Sequence, residues 1–266
     1  MNTRKMRLDI LKMALAAKSK GAHTGGSLSI VEIMAALYGG IMDMDAIATG
    51  KEERDRLILS KGHGAMAQYA ALHQAGLIDD EELLTYAASN SRLSIHLAAN
   101  PALGIDYASG SLGIGLSLGV GTALALRRKN NNRSRVFVIL GDGECNEGAV
   151  WEAAASAAHY ALGNLVAIVD RNGLQYGGDT ESIMRLENFE ARWQAFGWET
   201  VSVDGHDVAA LEQALSLRTA KPLAIIARTI KGKGISFMEN MPKWHHDVVT
   251  QKLFDQAVAE LVEAEA

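Results

Sequence analysis

The chain has 266 residues, of which 48% are hydrophobic and 21% are charged, and its net charge is −5. This composition excludes a disordered chain and weighs against a general nucleic-acid binder. The single cysteine, Cys145, excludes a disulfide framework or a cysteine-based zinc site and predicts a reducing compartment, which we expect to be the cytoplasm.

The N-terminal stretch lacks the continuous apolar region of a signal peptide. Its apolar residues, among them Met6, Ile10 and Met13, recur at helical spacing and predict an amphipathic helix. Farther along, residues 107–126 are weakly charged and long enough to suggest a membrane span. Their five glycines and three serines suit close helix packing inside a protein better than contact with lipid, so we predict no membrane association.

Short apolar runs that end in turn residues alternate with helical stretches along the chain. The runs predict buried parallel strands over residues 57–59, 136–140, 165–169, 201–203 and 223–227. The helical stretches cover residues 30–38, 63–76, 80–87, 112–128, 147–162 and 208–217. This order predicts one doubly wound α/β domain over residues 1–266, with a mainly parallel sheet flanked by helices. Ligands of such folds bind at the carboxyl ends of the strands.

The stretch VFVILGDGECNEG, residues 136–148, places Asp142 between two glycines directly after a predicted strand. Asn172 follows the next predicted strand. Adjacent parallel strands are about 4.8 Å apart, so the two side chains can reach one point. A carboxylate and an amide oxygen suit Mg²⁺ or Ca²⁺ when a phosphate completes the shell. The flanking glycines let a bulky anion approach the backbone.

Two other interpretations account for parts of this pattern. Gly-Asp-Gly and Asn-Gly are each common turns. A dinucleotide site needs Gly-x-Gly-x-x-Gly after its first strand, and the glycines at 141, 143 and 148 do not have that spacing. Asp142 would also repel a bare pyrophosphate unless a cation lay between them. The position of both motifs at strand ends favours a site for a metal and a phosphate.

Residues 141–175 resemble the thiamine diphosphate fingerprint, in which Gly-Asp-Gly is followed about thirty residues later by Asn. The resemblance implies that Asp142, Asn172 and the carbonyl of Leu174 hold a divalent cation, Mg²⁺ or Ca²⁺. That cation would bridge the two phosphates of thiamine diphosphate, and Gly143 would lie against the diphosphate.

Five further segments extend the resemblance to the transketolase family over nearly the whole chain. They read AAKSKGAHTGGSLSIVEIM, DRLILSKGHGAMAQYA, IDYASGSLGIGLSLGVG, VDGHD and TIKGKGISFMENMPKWHHD. The residues implied to be catalytic are His23, His63, His96, His245 and Glu147. The residues implied to bind the cofactor are His63, Gly110, Leu112, Gly141, Asp142, Gly143, Glu147, Asn172 and His245.

The resemblance implies the N-terminal, diphosphate-binding subunit of a split transketolase. Such an enzyme moves a two-carbon ketol unit from a ketose or ketose phosphate to an aldose or aldose phosphate. The pyrimidine-binding and C-terminal domains are expected on a partner subunit, in an α2β2 heterotetramer. Glu147 would meet an acid of that partner and help to activate the cofactor. It also fits a plain helix-start acid favoured by the helix dipole.

Three departures from the family pattern lie near the expected substrate path. The usual Gly-His-Pro-Gly is Ala-His-Thr-Gly at residues 22–25, Gly-His-Pro is Ile-His-Leu at 95–97, and Trp-His-Gly is Trp-His-His at 244–246. Loss of proline or glycine changes the backbone angles that a loop can adopt. We therefore expect reshaped loops and a substrate other than the central pentose phosphates, such as a modified or branched sugar.

Two rival functions share part of this pattern. The α-subunit of a 2-oxo acid dehydrogenase would explain Asp142 and Asn172 but not His63, His96 or the segment 231–245. A non-catalytic homologue would be favoured if the metal ligands or His245 were lost, and they are present. The sequence assigns no role to Glu144 or His246.

Overall fold

The computed structural model describes residues 1–263, and its centre is a five-stranded parallel sheet. The strands are β1 (Arg56–Leu59), β2 (Val136–Gly141), β3 (Leu165–Arg171), β6 (Glu199–Asp204) and β7 (Leu223–Arg228), in the order β1-β2-β3-β7-β6. All four neighbouring pairs are parallel. A small antiparallel pair, β4 (Leu174–Gln175) and β5 (Gly178–Asp179), follows β3. The five predicted strands are confirmed.

The helices fill the intervals between the strands, and most of them match the predicted stretches. They are α1 (Thr3–Ala16), α2 (Thr24–Leu28), α3 (Val31–Ala36), α4 (Met44–Ala48), α5 (Ala65–Gln74), α6 (Asp80–Leu83), α7 (Ile114–Arg128), α8 (Gly148–His159), α9 (Thr180–Ile183), α10 (Phe189–Ala195), α11 (Val208–Ser216) and α12 (Gln251–Glu263). The helices α2, α4, α9, α10 and α12 and the β4–β5 pair were not predicted.

Alternation along each strand divides the core into two layers. On β2, Phe137 and Ile139 belong to a cluster with α1, α3, α5 and α11. Val136, Val138 and Leu140 belong to a second cluster with α7, α8 and α10 on the other face. Because successive side chains of a strand point to opposite faces, a fully apolar strand can bury both. The sheet is therefore covered on both sides, which confirms the doubly wound α/β prediction.

The prediction of a helix over residues 80–87 is wrong in its second half. Helix α6 ends at Leu83, and Ala87 has a positive φ of 60°. The Ala87 carbonyl accepts a hydrogen bond from the Lys20 ammonium, and its N–H donates to Leu93 at 2.9 Å. These tertiary contacts replace the helical bonds that the local pattern would favour.

The glycine-rich stretch forms most of α7, which packs directly on the sheet. A Cβ atom added to Gly119 would lie 2.6 Å from the Val138 side chain, so only glycine fits this approach. Small residues therefore serve helix–sheet packing, as predicted. Within residues 1–263, no helix combines the length and the apolar run that crossing a bilayer requires.

An aromatic cluster joins α8 to α10 on the outer face of the second core layer. The Trp193 ring lies 5.3 Å from that of Trp151 and 4.9 Å from that of Trp198, between centroids. The Trp151 indole N–H donates to the Cys145 carbonyl at 2.7 Å. The cluster therefore holds the start of α8 against the turn that follows β2.

Candidate functional site

Four loops at the carboxyl edge of the sheet surround one cavity of about 250 Å³. They follow β1, β2, β3 and β7, which are neighbours in the sheet, so their first residues converge at this edge. The lining residues are Lys61, His63, Leu112, Gly141, Asp142, Gly143, Glu144, Glu147, Asn172, Leu174, Gln175, Tyr176, Lys231 and His245. Nine predicted site residues are in this set: His63, Leu112, Gly141, Asp142, Gly143, Glu147, Asn172, Leu174 and His245.

Asp142 is a buried carboxylate held by the backbone around it. Only 2% of the residue is exposed. Its carboxylate accepts hydrogen bonds from the N–H groups of Gly143 and Gly173, both at 2.7 Å, and from the Arg171 guanidinium at 3.0 Å. Burial, with the nearby Asp170 charge, raises the pKa of Asp142 above its ordinary value. A buried carboxylate so constrained can serve as a cation ligand.

The other two predicted metal ligands lie on the same side of the cavity. The Asn172 amide oxygen accepts from the Leu174 N–H at 3.0 Å, and its amide N–H₂ donates to Asp170 at 2.8 Å. The Leu174 carbonyl accepts from the Lys231 ammonium at 3.0 Å. Residues 1–263 contain no group of three His, Cys, Asp or Glu side chains that could hold a metal. A cation here therefore needs the amide and carbonyl oxygens beside Asp142, a set that fits Mg²⁺ or Ca²⁺.

A buried ion pair between Lys61 and Asp170 connects the loops that line the cavity. Lys61 is 1% exposed; its ammonium pairs with Asp170 and donates to the Gly26 carbonyl at 2.8 Å. Asp170 also accepts from the hydroxyls of Ser29, at 2.7 Å, and Thr229. Burial alone raises the pKa of Asp170, but Lys61 and these hydrogen bonds outweigh it and lower that pKa. The pair is fully hydrogen-bonded, as a buried pair must be to persist.

Lys231 and His245 form the wall beside the Leu174 carbonyl. The Lys231 ammonium lies 3.0 Å from Nδ1 of His245. Burial, followed by the charge of Lys61, lowers the pKa of Lys231 to about 8. Burial, followed by the charge of Lys231, lowers the pKa of His245 to about 4. At neutral pH this wall therefore carries one cation, largely on Lys231, and a neutral imidazole that accepts a hydrogen bond from it.

Five histidines form a continuous cluster that leads out of the cavity. The ring of His23 lies within 5.7 Å, between centroids, of the rings of His63, His96, His245 and His246. Burial, then the neighbouring His246, lowers the pKa of His23 to about 3. Burial is also the main cause that lowers the pKa values of His63 and His96. The imidazoles of His23, His63 and His96 are therefore neutral at pH 7, and each offers one hydrogen-bond donor and one acceptor.

Glu144 ties together the loops that form the inner wall. Its carboxylate accepts from the N–H groups of Gly113 at 2.8 Å and Gly141 at 3.0 Å, and from the Ser60 hydroxyl. The residue is 3% exposed, and burial raises the pKa of Glu144. This carboxylate therefore joins the ends of β1 and β2 to the start of α7, a role that the sequence did not reveal.

Three predicted site residues lie outside the lining of the cavity but next to it. His23 and His96 belong to the histidine cluster, and a Cβ atom added to Gly110 would lie 3.8 Å from His96. Glu147 lies at the cavity edge as the N-cap of α8, is exposed, and makes no side-chain capping bond. The structure thus brings all the predicted residues into one region.

Five lining residues were missed: Lys61, Glu144, Gln175, Tyr176 and Lys231. The two lysines stand inside the histidine motifs, in SKGH and IKGKG, and this position was the available signal. The side-chain oxygen of Gln175 is buried without a hydrogen-bond partner, as is Nδ1 of His23. A Cβ atom added to Gly143 would lie 2.9 Å from Gln175. Unpaired polar atoms around a glycine-cleared space fit a polar ligand such as thiamine diphosphate.

Comparison with known proteins identifies the fold and its relatives. Residues 3–261 match the family described as transketolase, thiamine diphosphate binding domain. The chain is 44% identical over 243 residues to the 6-deoxy-6-sulfo-D-fructose transketolase subunit SqwG of Clostridium sp. (strain MSTE9), covering 90% of this chain and 88% of that subunit. It is 40% identical over 249 residues to an apulose-4-phosphate transketolase subunit of Phocaeicola vulgatus, covering 92% and 88%.

Longer enzymes match over only part of their length. The chain is 37% identical over 257 residues to the transketolase of Mus musculus, covering 97% of this chain and 41% of that enzyme. The crystal structure of transketolase from Campylobacter jejuni superposes with a TM-score of 0.87 at 27% identity, covering 98% of this chain and 43% of that one. The chain thus spans most of the two subunits and less than half of these longer enzymes.

Proposed function

Because the chain belongs to the transketolase family and has its thiamine diphosphate-binding domain, we propose that it is the diphosphate-binding subunit of a two-component transketolase. Residues 1–266 would form this one domain. The observation that carries the proposal is that one cavity holds the oxygen ligands around Asp142 together with His63 and His245 of the histidine cluster. A plain metal or phosphate site has no need of the histidines.

The cofactor supplies, when bound, the carbanion chemistry that moves a two-carbon ketol unit between sugars. Asp142, Asn172 and the Leu174 carbonyl would hold the divalent cation at its diphosphate. Lys231 would add a positive charge on the same wall, and the glycine-cleared backbone at Gly143 would allow close approach. The chain's part is therefore to neutralise and orient the diphosphate.

The histidines would bind the hydroxyl and carbonyl oxygens of the sugar. Formation and loss of a ketol group moves protons to and from hydroxyl and carbonyl oxygens. His23, His63 and His245 are neutral at pH 7, so each can donate or accept a hydrogen bond at such an oxygen. The short spacing between their rings gives a substrate several donors along one path.

A partner subunit would complete the site. Relatives of similar length are named as subunits, and Glu147, which lines the cavity, is exposed. The side chains of Leu112 and Ile114, 40% and 47% exposed, flank Gly113, whose added Cβ atom would lie 2.7 Å from that of Glu147. We propose that the partner carries the pyrimidine-binding domain, covers these side chains and meets Glu147, in a cytoplasmic α2β2 assembly.

The substrate is proposed to be a non-standard sugar. The two relatives cited are named for a sulfonated ketose and for apulose 4-phosphate, and residues around His23 and His246 depart from the usual motif. A modified or branched ketose, with an aldose or aldose phosphate as acceptor, accords with both.

The experiment combines the purified chain with its purified partner, thiamine diphosphate and Mg²⁺. Hydroxypyruvate serves as donor and glycolaldehyde as acceptor, and ketose formation is measured. We expect turnover by the mixture and none by either protein alone. Turnover by the rigorously purified chain alone would refute the two-component proposal. Efficient use of xylulose 5-phosphate with ribose 5-phosphate would refute the non-standard sugar.

A further inference from the structure

His246 occupies the position where the transketolase motif has glycine. It follows the predicted catalytic His245, and its imidazole is exposed. The backbone there is extended, with φ of −153°, a conformation that any residue adopts. The backbone conformation therefore does not require glycine at position 246. The difference from the family motif lies in the imidazole side chain that this position adds.

The backbone on both sides fixes where this imidazole points. Ala22 and Asp247 form an antiparallel bridge, with N–H to carbonyl distances of 2.9 and 3.2 Å. The bridge sets the His246 ring beside the His23 ring, with centroids 4.5 Å apart. A Cβ atom added to Gly21 would lie 2.9 Å from Cε1 of His246. Residue 21 thus leaves room for the ring.

The ring contacts give the cluster an order from the cavity outward. His63 and His245 line the cavity, and His23 contacts both of them. His246 contacts His23 and does not line the cavity. It therefore stands one ring farther from the cofactor-binding wall than His23 does.

We propose that His246 is a specificity-determining residue that hydrogen-bonds an oxygen on the part of the sugar beyond the reacting carbons. The inference rests on the proposed function. A sugar whose reacting end lies at the cavity passes His23, and its next carbons reach His246. The imidazole offers one donor and one acceptor to a hydroxyl, or a donor to an anionic end group. A glycine at this position offers neither.

The test compares His246→Gly, His246→Gln and wild type, each assembled with the partner, using hydroxypyruvate as donor. Three acceptors are used: glycolaldehyde, which has no distal carbons, D-erythrose, and D-erythrose 4-phosphate. In His246→Gly one hydrogen bond to the longer acceptors is lost. We therefore expect kcat/KM for these acceptors to fall about 3- to 10-fold more than kcat/KM for glycolaldehyde. His246→Gln, which keeps a donor and an acceptor, should recover part of this loss. Val248→Ala, two residues along, is the matched control.

The acceptors separate the possible sources of the oxygen. An extra loss already present with D-erythrose assigns the contact to a hydroxyl, and one present only with the phosphate assigns it to the anionic end. Equal losses for all three acceptors would overturn the proposal and leave His246 with a structural role. Failure of the wild-type assembly to use hydroxypyruvate with glycolaldehyde would instead refute the proposed function, and with it the premise of this inference.

Discussion

Replacing Glu144 by alanine tests whether this carboxylate holds the inner wall of the site together. The substitution removes the acceptor of three hydrogen bonds and leaves the N–H groups of Gly113 and Gly141 without it. The third donor, the Ser60 hydroxyl, also loses this acceptor, but it can rotate, unlike a backbone N–H, and its oxygen still accepts from the Gly115 N–H at 3.2 Å. The change therefore acts mainly on two buried backbone donors.

Each buried donor left unpaired costs about 1–3 kcal/mol, so the two predict a loss of about 2–6 kcal/mol in the free energy of unfolding. Burial raises the pKa of Glu144, so removing its charge offsets part of this cost, and we expect about 3 kcal/mol. For 266 residues the unfolding entropy is about 0.6 kcal/mol/K, so Tm should fall by about 5 °C.

Thermal unfolding of the purified chain, followed by circular dichroism, measures this shift. Glu144→Gln keeps one acceptor oxygen and should lose about half as much. Glu152→Ala, an exposed position on α8, is the control and should change stability by less than about 0.5 kcal/mol. A Tm for Glu144→Ala equal to that of the Glu152→Ala control would refute the reasoning.

Three further predictions concern the cavity and the histidines. Asp142→Asn should weaken Mg²⁺-dependent binding of thiamine diphosphate, measured by calorimetry, by more than about 10-fold, and EDTA should have the same effect on wild type. The pKa of Lys231, about 8, predicts that binding of inorganic pyrophosphate weakens as pH rises through that value, and Lys231→Gln should bind more weakly and abolish this pH dependence. The pKa of His23 falls from 6.5 in the unfolded chain to about 3 in the folded one, so its contribution to stability is present above 6.5 and is lost as pH falls toward 3. Urea unfolding should show that wild type loses more stability between neutral pH and about pH 5 than His23→Asn does, by less than about 1.4 kcal/mol per pH unit.

Each of these has an outcome that contradicts it. Unchanged cofactor affinity in Asp142→Asn would exclude that carboxylate from the cation site. Pyrophosphate binding by Lys231→Gln that still weakens as pH rises through 8 would assign the titration to another group. Equal loss of stability on acidification in wild type and His23→Asn would show that His23 is protonated in the folded chain.

The strands and the meeting of Asp142 and Asn172 at one cavity could be predicted because both depend on local patterns. The runs at residues 136–140 and 165–169 are apolar throughout and end at Gly-Asp-Gly and Asp-Arg-Asn. Neighbouring residues therefore indicate both the strand and the loop that follows it. The strand order could not be read, because the pairing of β3 with β7 joins segments more than fifty residues apart. Such pairings depend on the packing of the whole sheet.

The roles of Glu144, Lys61 and Lys231 could not be predicted from local sequence patterns, because they depend on contacts between distant segments. In its own segment Glu144 has no evident partner. Its structural role appears only in the fold, where Ser60 and Gly113 donate hydrogen bonds to it. Lys61 acquires its function from Asp170, on a different strand. Helix α12 was missed although its apolar residues Ala257 and Leu261 recur at helical spacing, and they are buried only against the rest of the core.

The aromatic cluster on α8 and α10 places tryptophans whose fluorescence can be measured close to the candidate site. Its Trp151 is hydrogen-bonded to the carbonyl of Cys145, three residues beyond Asp142. Any shift of that turn changes the polarity around the indole and therefore its fluorescence. Trp244 offers a second signal, because it is buried directly beside His245. We therefore expect that loading of the cavity can be followed by ultraviolet emission, without a label and before any sugar is added.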